Sequence, residues 1–273
     1  MQIGVGLPRG AMMLDPGAMR AFARGVEAAG FDFITSGERI IDKDRMGARE
    51  PFALHAFLAA CTERVQLIPS IVLLPQRPTV LTAKQAAEVD VLSGGRFILG
   101  VGVGSHPEEY AAVGQHYASR GRRIEEQIAL LRALWTNETV TFKGEWHQLD
   151  DMGIAPLPVQ RPIPIWMGGG GTEAALRRIA RLAGGWLPSS SGEGDTATLV
   201  ERFRGYVREA GRDPGDVSIL GRIQVDAASP ENGRAAYDRW VSLGASHVGL
   251  SVRGGAAVDE QLRVLEAFRT ALS

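Results

Sequence analysis

Short apolar runs of four to seven residues alternate, eight times over, with longer stretches whose apolar positions recur at helical spacing. That rhythm decides most of what this chain can become. A strand followed by a helix returns the chain to the same edge of the sheet, so the strands pair in parallel. Strands are predicted over residues 2–7, 31–35, 65–72, 97–103, 163–167, 185–188, 217–225 and 247–252. Helices are predicted from Asp15 and Pro16, an N-cap followed by proline at the first helical position, to Gly30, and over 51–61, 79–92, 107–113, 120–135, 172–183, 196–210, 230–243 and 258–272. Residues 139–142 and 146–149 alternate about Lys143-Gly144-Glu145 and read as a small β-hairpin inserted after the fourth helix.

Eight strand–helix units is the number that closes a (β/α)8 TIM barrel, and 273 residues fit one such domain over residues 1–273. A doubly wound open sheet is the alternative. Its dinucleotide fingerprint would follow the first strand, where Pro8 and Arg9 break the Gly-x-Gly-x-x-Gly spacing.

Charge and composition narrow the partners. Thirty basic and 31 acidic residues leave a net charge of −1, which gives nucleic acid or an anionic membrane little to hold. No apolar run reaches the ~20 residues of a membrane span, and the N-terminus does not read as a secretion signal, so a cytoplasmic protein is expected. Cys61 is the single cysteine; it lies in an apolar run and reads as a small buried hydrophobe. His55, His106, His116, His147 and His247 are too scattered to suggest a metal site.

Barrel enzymes work at the C-terminal ends of their strands, and that rule selects the residues to inspect. After the fifth strand, Gly168-Gly169-Gly170-Gly171-Thr172 opens a helix. Glycines let a ligand approach the backbone, and a helix start offers unpaired N–H groups to a phosphate. The alternative is a plain turn. The fourth strand ends in Gly100-Val101-Gly102-Val103-Gly104-Ser105, whose bare face suits either a flat ring or tight packing. The second strand ends in Ser36-Gly37-Glu38-Arg39. There Glu38 is a candidate proton carrier with Arg39 beside it, or the two form a surface ion pair. His106, Glu108, Glu109 and Tyr110 are further candidates, although Ser105 and Glu108 also match a capping box.

Several segments, in order and spacing, resemble the bacterial luciferase-like monooxygenase superfamily, and within it the branch dependent on the deazaflavin coenzyme F420. They are Ile3-Gly4-Val5-Gly6-Leu7-Pro8, Ala29-Gly30-Phe31-Asp32, Ser36-Gly37-Glu38, and Gln85-Ala86-Ala87-Glu88-Val89-Asp90 with Leu92-Ser93-Gly94-Gly95-Arg96. Gly100 to Gly104 follow, then Glu109-Tyr110 with Gly114, Arg122 to Glu126 with Leu134-Trp135, and Pro164-Ile165-Trp166-Met167-Gly168-Gly169. The resemblance implies a TIM barrel with an insertion, a non-prolyl cis peptide between Ser70 and Ile71 behind the cofactor ring, and cofactor phosphate near Gly168, Gly169, Gly170, Gly171 and Thr172. Ser70, Ile71, Val103 and Gly104 would border the ring, Glu38 would transfer a proton, and Arg39 would orient substrate. It further implies hydride transfer to or from a small organic substrate. The alternatives are an FMN-dependent monooxygenase served by a separate reductase, and a barrel that binds flavin without catalysis. A homodimer is a further implication. Two departures stand out: many F420 relatives have histidine where Arg39 stands, and the sugar-phosphate dehydrogenases have glutamate where Ser105 stands.

Overall fold

The computed structural model describes residues 1–8, 10, 14–41, 47–189, 196–254 and 257–272, without the side chain of Pro230. Nine parallel strands form one sheet: β1 (Gln2–Gly6), β2 (Phe33–Ser36), β3 (Gln66–Pro69), β4 (Val72–Leu73), β5 (Leu99–Gly102), β8 (Ile165–Gly169), β9 (Gly185–Pro188), β10 (Ser218–Asp226) and β11 (His247–Arg253). The hairpin strands β6 (Val140–Lys143) and β7 (Gln148–Met152) pair antiparallel outside that sheet. The order around the sheet is β3-β2-β1-β11-β10-β9-β8-β5-β4. Its two ends, β3 and β4, are halves of one stretch on either side of a cis Ser70–Ile71 bond. A parallel bridge between Leu67 and Phe97, with Ile98 N donating to Leu67 O at 3.0 Å, joins β3 to the residues that lead into β5 and closes the ring. Nine strands therefore occupy eight positions of a barrel, the architecture expected from the alternation.

Helices α1 (Pro16–Ala28), α2 (Pro51–Cys61), α3 (Thr79–Leu92), α4 (Pro107–Ala112), α5 (Arg120–Thr136), α6 (Glu173–Leu182), α7 (Thr196–Glu209), α8 (Gly233–Ser242) and α9 (Val258–Ala271) accompany the strands. Local chemistry sets their starts. Asp15 accepts from the amides of Gly17 and Ala18 with Pro16 following, and Glu50 accepts from Ala53 N at 2.7 Å ahead of Pro51. The capping box read at Ser105 and Glu108 is not formed; α4 begins after His106, which makes no side-chain cap bond. The strand predicted over 65–72 is interrupted at its cis bond, and the helix predicted over 230–243 opens as a 3₁₀ turn, Pro230–Asn232.

Two apolar layers result. The larger lies between sheet and helices. The smaller fills the barrel itself with Phe33, Ile68, Ile98, Trp166, Leu187 and Leu220. His247, at the start of β11, stands edge-on to Trp166 at 4.7 Å and 5.5 Å from Phe33. Burial, then the nearby N-terminal amino group, pushes its imidazole down to about 4, so it is neutral at pH 7. The N-terminal end of the barrel is thus closed by packed, uncharged rings, and any ligand must use the other end.

The hairpin is tied to the barrel by one carboxylate. Glu126 on α5 accepts from Glu145 N at 2.7 Å, Trp146 N at 2.9 Å and His147 Nδ1 at 2.7 Å, and His147 Nε2 is hydrogen-bonded to Thr79 Oγ1 at 2.6 Å. Burial alone would raise the Glu126 carboxyl; those donors outweigh it and hold the group below its ordinary value.

Candidate active site

The C-terminal ends of β1, β2, β10 and β11, with Ser70, enclose a cavity of about 820 Å³. That is within the size range of small-molecule sites. Residues alternate faces along a strand, so Arg222 and Gln224 follow Leu220 on the inward face of β10. Leu220 sits in the inner apolar plug, and Arg222, one step closer to the mouth, donates to Ser70 Oγ. Arg222 is the sole charged side chain among the described lining residues. Sequence reading missed it, because periodicity does not say which face of a doubly buried strand is the barrel interior. Ser36 also lines the cavity, and its buried Oγ has no hydrogen-bond partner.

Ser70 and Ile71 form a wall of the mouth. Ser70 N donates to Ser36 O at 2.5 Å, joining this segment to β2. The Ile71 side chain lies over Gly102 and Gly168; a Cβ on Gly168 would stand 2.8 Å from Ile71 Cγ2. Gly100 lies against the Pro69 carbonyl. The bare face of the fourth strand therefore admits the chain's own third strand at Gly100 and Gly102, which is the tight-packing alternative. Further out, a Cβ on Gly104 would approach Gln76 Nε2 at 3.2 Å, and Val103 O accepts from the Tyr110 hydroxyl. Burial pushes that phenol up to about 12, keeping it a neutral donor. Gln76 is 4% exposed, yet neither atom of its amide has a partner. A buried amide without partners is costly.

Glu38 and Arg39 are not paired with each other. The Glu38 side chain is 2% exposed, with Oε2 accepting from Leu73 N at 2.6 Å and Oε1 accepting from Arg77. Arg77 also reaches Glu50 at 2.9 Å. Arg39 turns the other way, onto Glu109 at 3.0 Å, where Glu109 is 1% exposed. Neither Glu38 nor Arg39 lines the cavity. One Glu38 oxygen fastens Leu73, the last residue of β4, and the other holds Arg77, so proton transfer by this group would require breaking its pair with Arg77. Burial raises the Glu38 carboxyl more than Arg77 and Leu73 N lower it.

A carboxyl raised on folding contributes stability that is present below its ordinary value of 4.5 and is lost as pH rises through the folded value. The stability of Glu38→Gln relative to the wild type is therefore expected to increase from pH 4 to pH 7, read by urea unfolding at each pH. A difference that shrinks over that window would show that the pair with Arg77 outweighs burial.

The glycine loop lies across the barrel, since β8 is four positions from β1 around the ring. Gly170, Gly171 and Thr172 are exposed, their amides donate to no other described backbone group, and the Thr172 side chain does not cap α6. They are free to receive an anion at a helix start. Trp186 Nε1 fixes the preceding strand end by donating to Gly169 O at 3.2 Å. The α6 arginines are committed elsewhere: Arg177 to Glu173 and Glu209, Arg178 and Arg181 to Glu125. Of the predicted residues, the structure brings Ile71, which follows Ser70, against Gly168, keeps Gly104 beside Gln76, and leaves Glu38 and Arg39 outside the cavity lining. Among the described residues no cluster of three or more His, Cys, Asp or Glu is arranged to hold a metal, and no helix is long and apolar enough to cross a membrane.

Comparison with known proteins agrees with this architecture. An uncharacterised protein of Mycobacterium tuberculosis is 38% identical over 172 residues, 63% of this chain and 59% of that protein. The F420-dependent glucose-6-phosphate dehydrogenase of Amycolatopsis mediterranei is 33% identical over 198 residues, 70% of this chain and 58% of that one. Both matches span less than two thirds of the relative's length. The crystal structure of monooxygenase RslO1 from Streptomyces bottropensis superposes with a TM-score of 0.84 at 22% identity, covering 100% of this chain and 98% of that one, a likeness of fold. Residues 1–265 match the family described as luciferase-like monooxygenase, and the chain belongs to that family, whose members are oxidoreductases and monooxygenases.

Proposed function

We propose that this protein is an F420-dependent oxidoreductase acting on a small organic substrate held in the 820 Å³ cavity. The observation that carries the reading is the pair of unsatisfied polar features at this end of the barrel: the Ser36 hydroxyl in the cavity wall and the backbone amides of Gly170 to Thr172. These fit a ligand with a hydrogen-bonding ring at one end and an anion at the other. The named dehydrogenase relative, itself F420-dependent, favours the deazaflavin.

Gly168, Gly169, Gly170, Gly171 and Thr172 would hold the phosphate, and Ser70, Ile71, Val103 and Gly104 would border the ring. The bound deazaflavin supplies a ring carbon that accepts or donates hydride. The chain supplies position and exclusion of water. Ile71, packed on Gly102 and Gly168, provides the apolar support. Glu38 and Arg77 act as positioning residues by fastening Leu73, two residues past Ile71. Among the described lining residues the unpartnered Ser36 Oγ is the best placed to pass a proton to substrate.

Fluorescence titration of the purified protein with F420 and with FMN tests this reading. F420 is expected to bind at least about tenfold more tightly, a gap of ~1.4 kcal/mol. Tighter binding of FMN would overturn it and favour an FMN-dependent monooxygenase supplied by a separate reductase.

A further inference from the structure

We infer that the outward faces of α2 and α3 form the interface of a two-fold homodimer, in which α3 packs antiparallel on α3 of a second copy.

The composition of α2 raises the need for cover. Residues 51–61 hold no charged side chain, and their one strongly polar residue, His55, is buried. A surface helix turns a polar stripe to water, whereas a helix apolar all round is normally covered. Yet Ala53 and Ala60 are exposed, and Ala56 and Phe57 are only half-buried. These four share one face, at spacings of three and four. The alanines there leave room for another backbone to approach closely.

α3 packs beside α2 and extends the surface. Its exposed side carries Val80 and Leu81 at one end and Val91 and Leu92 at the other, with Leu81 52% and Leu92 60% exposed. Single apolar residues on a surface are common, but an apolar patch spanning two helices marks an interaction site. Between the two apolar ends stand Lys84 and Glu88, one turn apart and paired at 3.4 Å, both exposed.

That order selects the occupant. Along α3 the exposed stripe reads apolar, cation, anion, apolar, centred on residue 86. In a two-fold pair each contact occurs twice with the roles exchanged. Set antiparallel about residue 86, Lys84 faces Glu88 of the second copy, and Glu88 faces its Lys84. In the same register Val80 meets Leu92 and Leu81 meets Val91. A parallel pairing would instead set lysine on lysine and glutamate on glutamate. The charge pattern of α3 is therefore complementary to itself in reverse, which fits a second copy of this chain.

Sedimentation equilibrium of the full chain tests the interface. Wild type is expected at twice the mass of one chain at micromolar concentration. Leu81→Arg and Leu92→Arg each bring two cations into apolar contact and are expected to weaken the dimer about a hundredfold or more. Lys84→Glu and Glu88→Lys each oppose like charges twice and are expected to weaken it about tenfold or more. The double variant Lys84→Glu/Glu88→Lys restores opposite pairing and is expected to return Kd to within about threefold of wild type. Urea unfolding at low protein concentration confirms that each variant folds. The inference is overturned if wild type is a monomer, or if Leu81→Arg and Leu92→Arg leave the dimer intact. It is equally overturned if the charge-swapped double variant dimerises no better than the single ones.

Discussion

Gly100→Ala is expected to destabilise the protein by about 3 kcal/mol or more, at the top of the range for overpacked sites. The new Cβ would fall within the van der Waals envelope of the Pro69 carbonyl oxygen and 3.0 Å from Leu187 Cδ1. Neither neighbour can withdraw cheaply. Pro69 is backbone paired with Ser36 on β2, the next residue donates to Ser36 O, and Leu187 is buried in the inner plug. Relief must come from moving the third strand, which carries Ser70 and Ile71, so cofactor binding should fall with stability. Gly205→Ala provides the contrast. It lies within α7, nothing stands within 4 Å of its Cβ, and alanine there should stabilise by about 0.5–1 kcal/mol. Urea unfolding of both variants checks the pair; a Gly100→Ala loss under about 1 kcal/mol would show that the third strand yields more freely than its pairing implies.

Arg96→Ala is expected to cost about 3–4 kcal/mol, and Arg96→Lys to recover less than half of it. Arg96 Nε donates to Ser93 O at 2.7 Å, Nη1 to Val65 O at 2.8 Å and Thr62 Oγ1 at 3.1 Å, and Nη2 to Thr62 O at 2.9 Å and Ala59 O at 3.2 Å. Four of these acceptors are carbonyls at the C-terminal ends of α2 and α3 or at the entry to β3. Helix ends leave carbonyls without partners and favour a cation, so one guanidinium serves two helices and a strand together. Alanine abandons all of them. Lysine brings charge but cannot reach carbonyls on three sides at once. Chemical unfolding reads the loss; an Arg96→Lys variant as stable as wild type would show that charge alone suffices.

The sequence made the barrel legible because its punctuation is local. Pro51 and Cys61 bound α2, and Thr79 and Leu92 bound α3, where proline, glycine and apolar spacing had placed them. The glycine loop was found by the same means. What lay beyond reach depends on pairing across distance. Glu38 and Arg39 are neighbours in sequence, and an ion pair between them was one reading. Yet Glu38 meets Arg77, 39 residues on, and Arg39 meets Glu109, 70 residues on. Arg222 faces the cavity because the register of β10 aligns it above Leu220, and periodicity alone does not say which face of a doubly buried strand is the barrel interior. The glycines of the fourth strand were ambiguous for the same reason: only the third strand's path shows that Gly100 and Gly102 admit Pro69 and Ile71.

Crystals soaked with F420 give the most direct measurement of what this mouth holds. Density for a planar tricyclic ring is expected beside Ser70 and Ile71, with the phosphate on the amides of Gly170, Gly171 and Thr172. Density whose phosphate lies away from those amides, or whose ring lies away from the Ser70–Ile71 wall, would contradict the assignment.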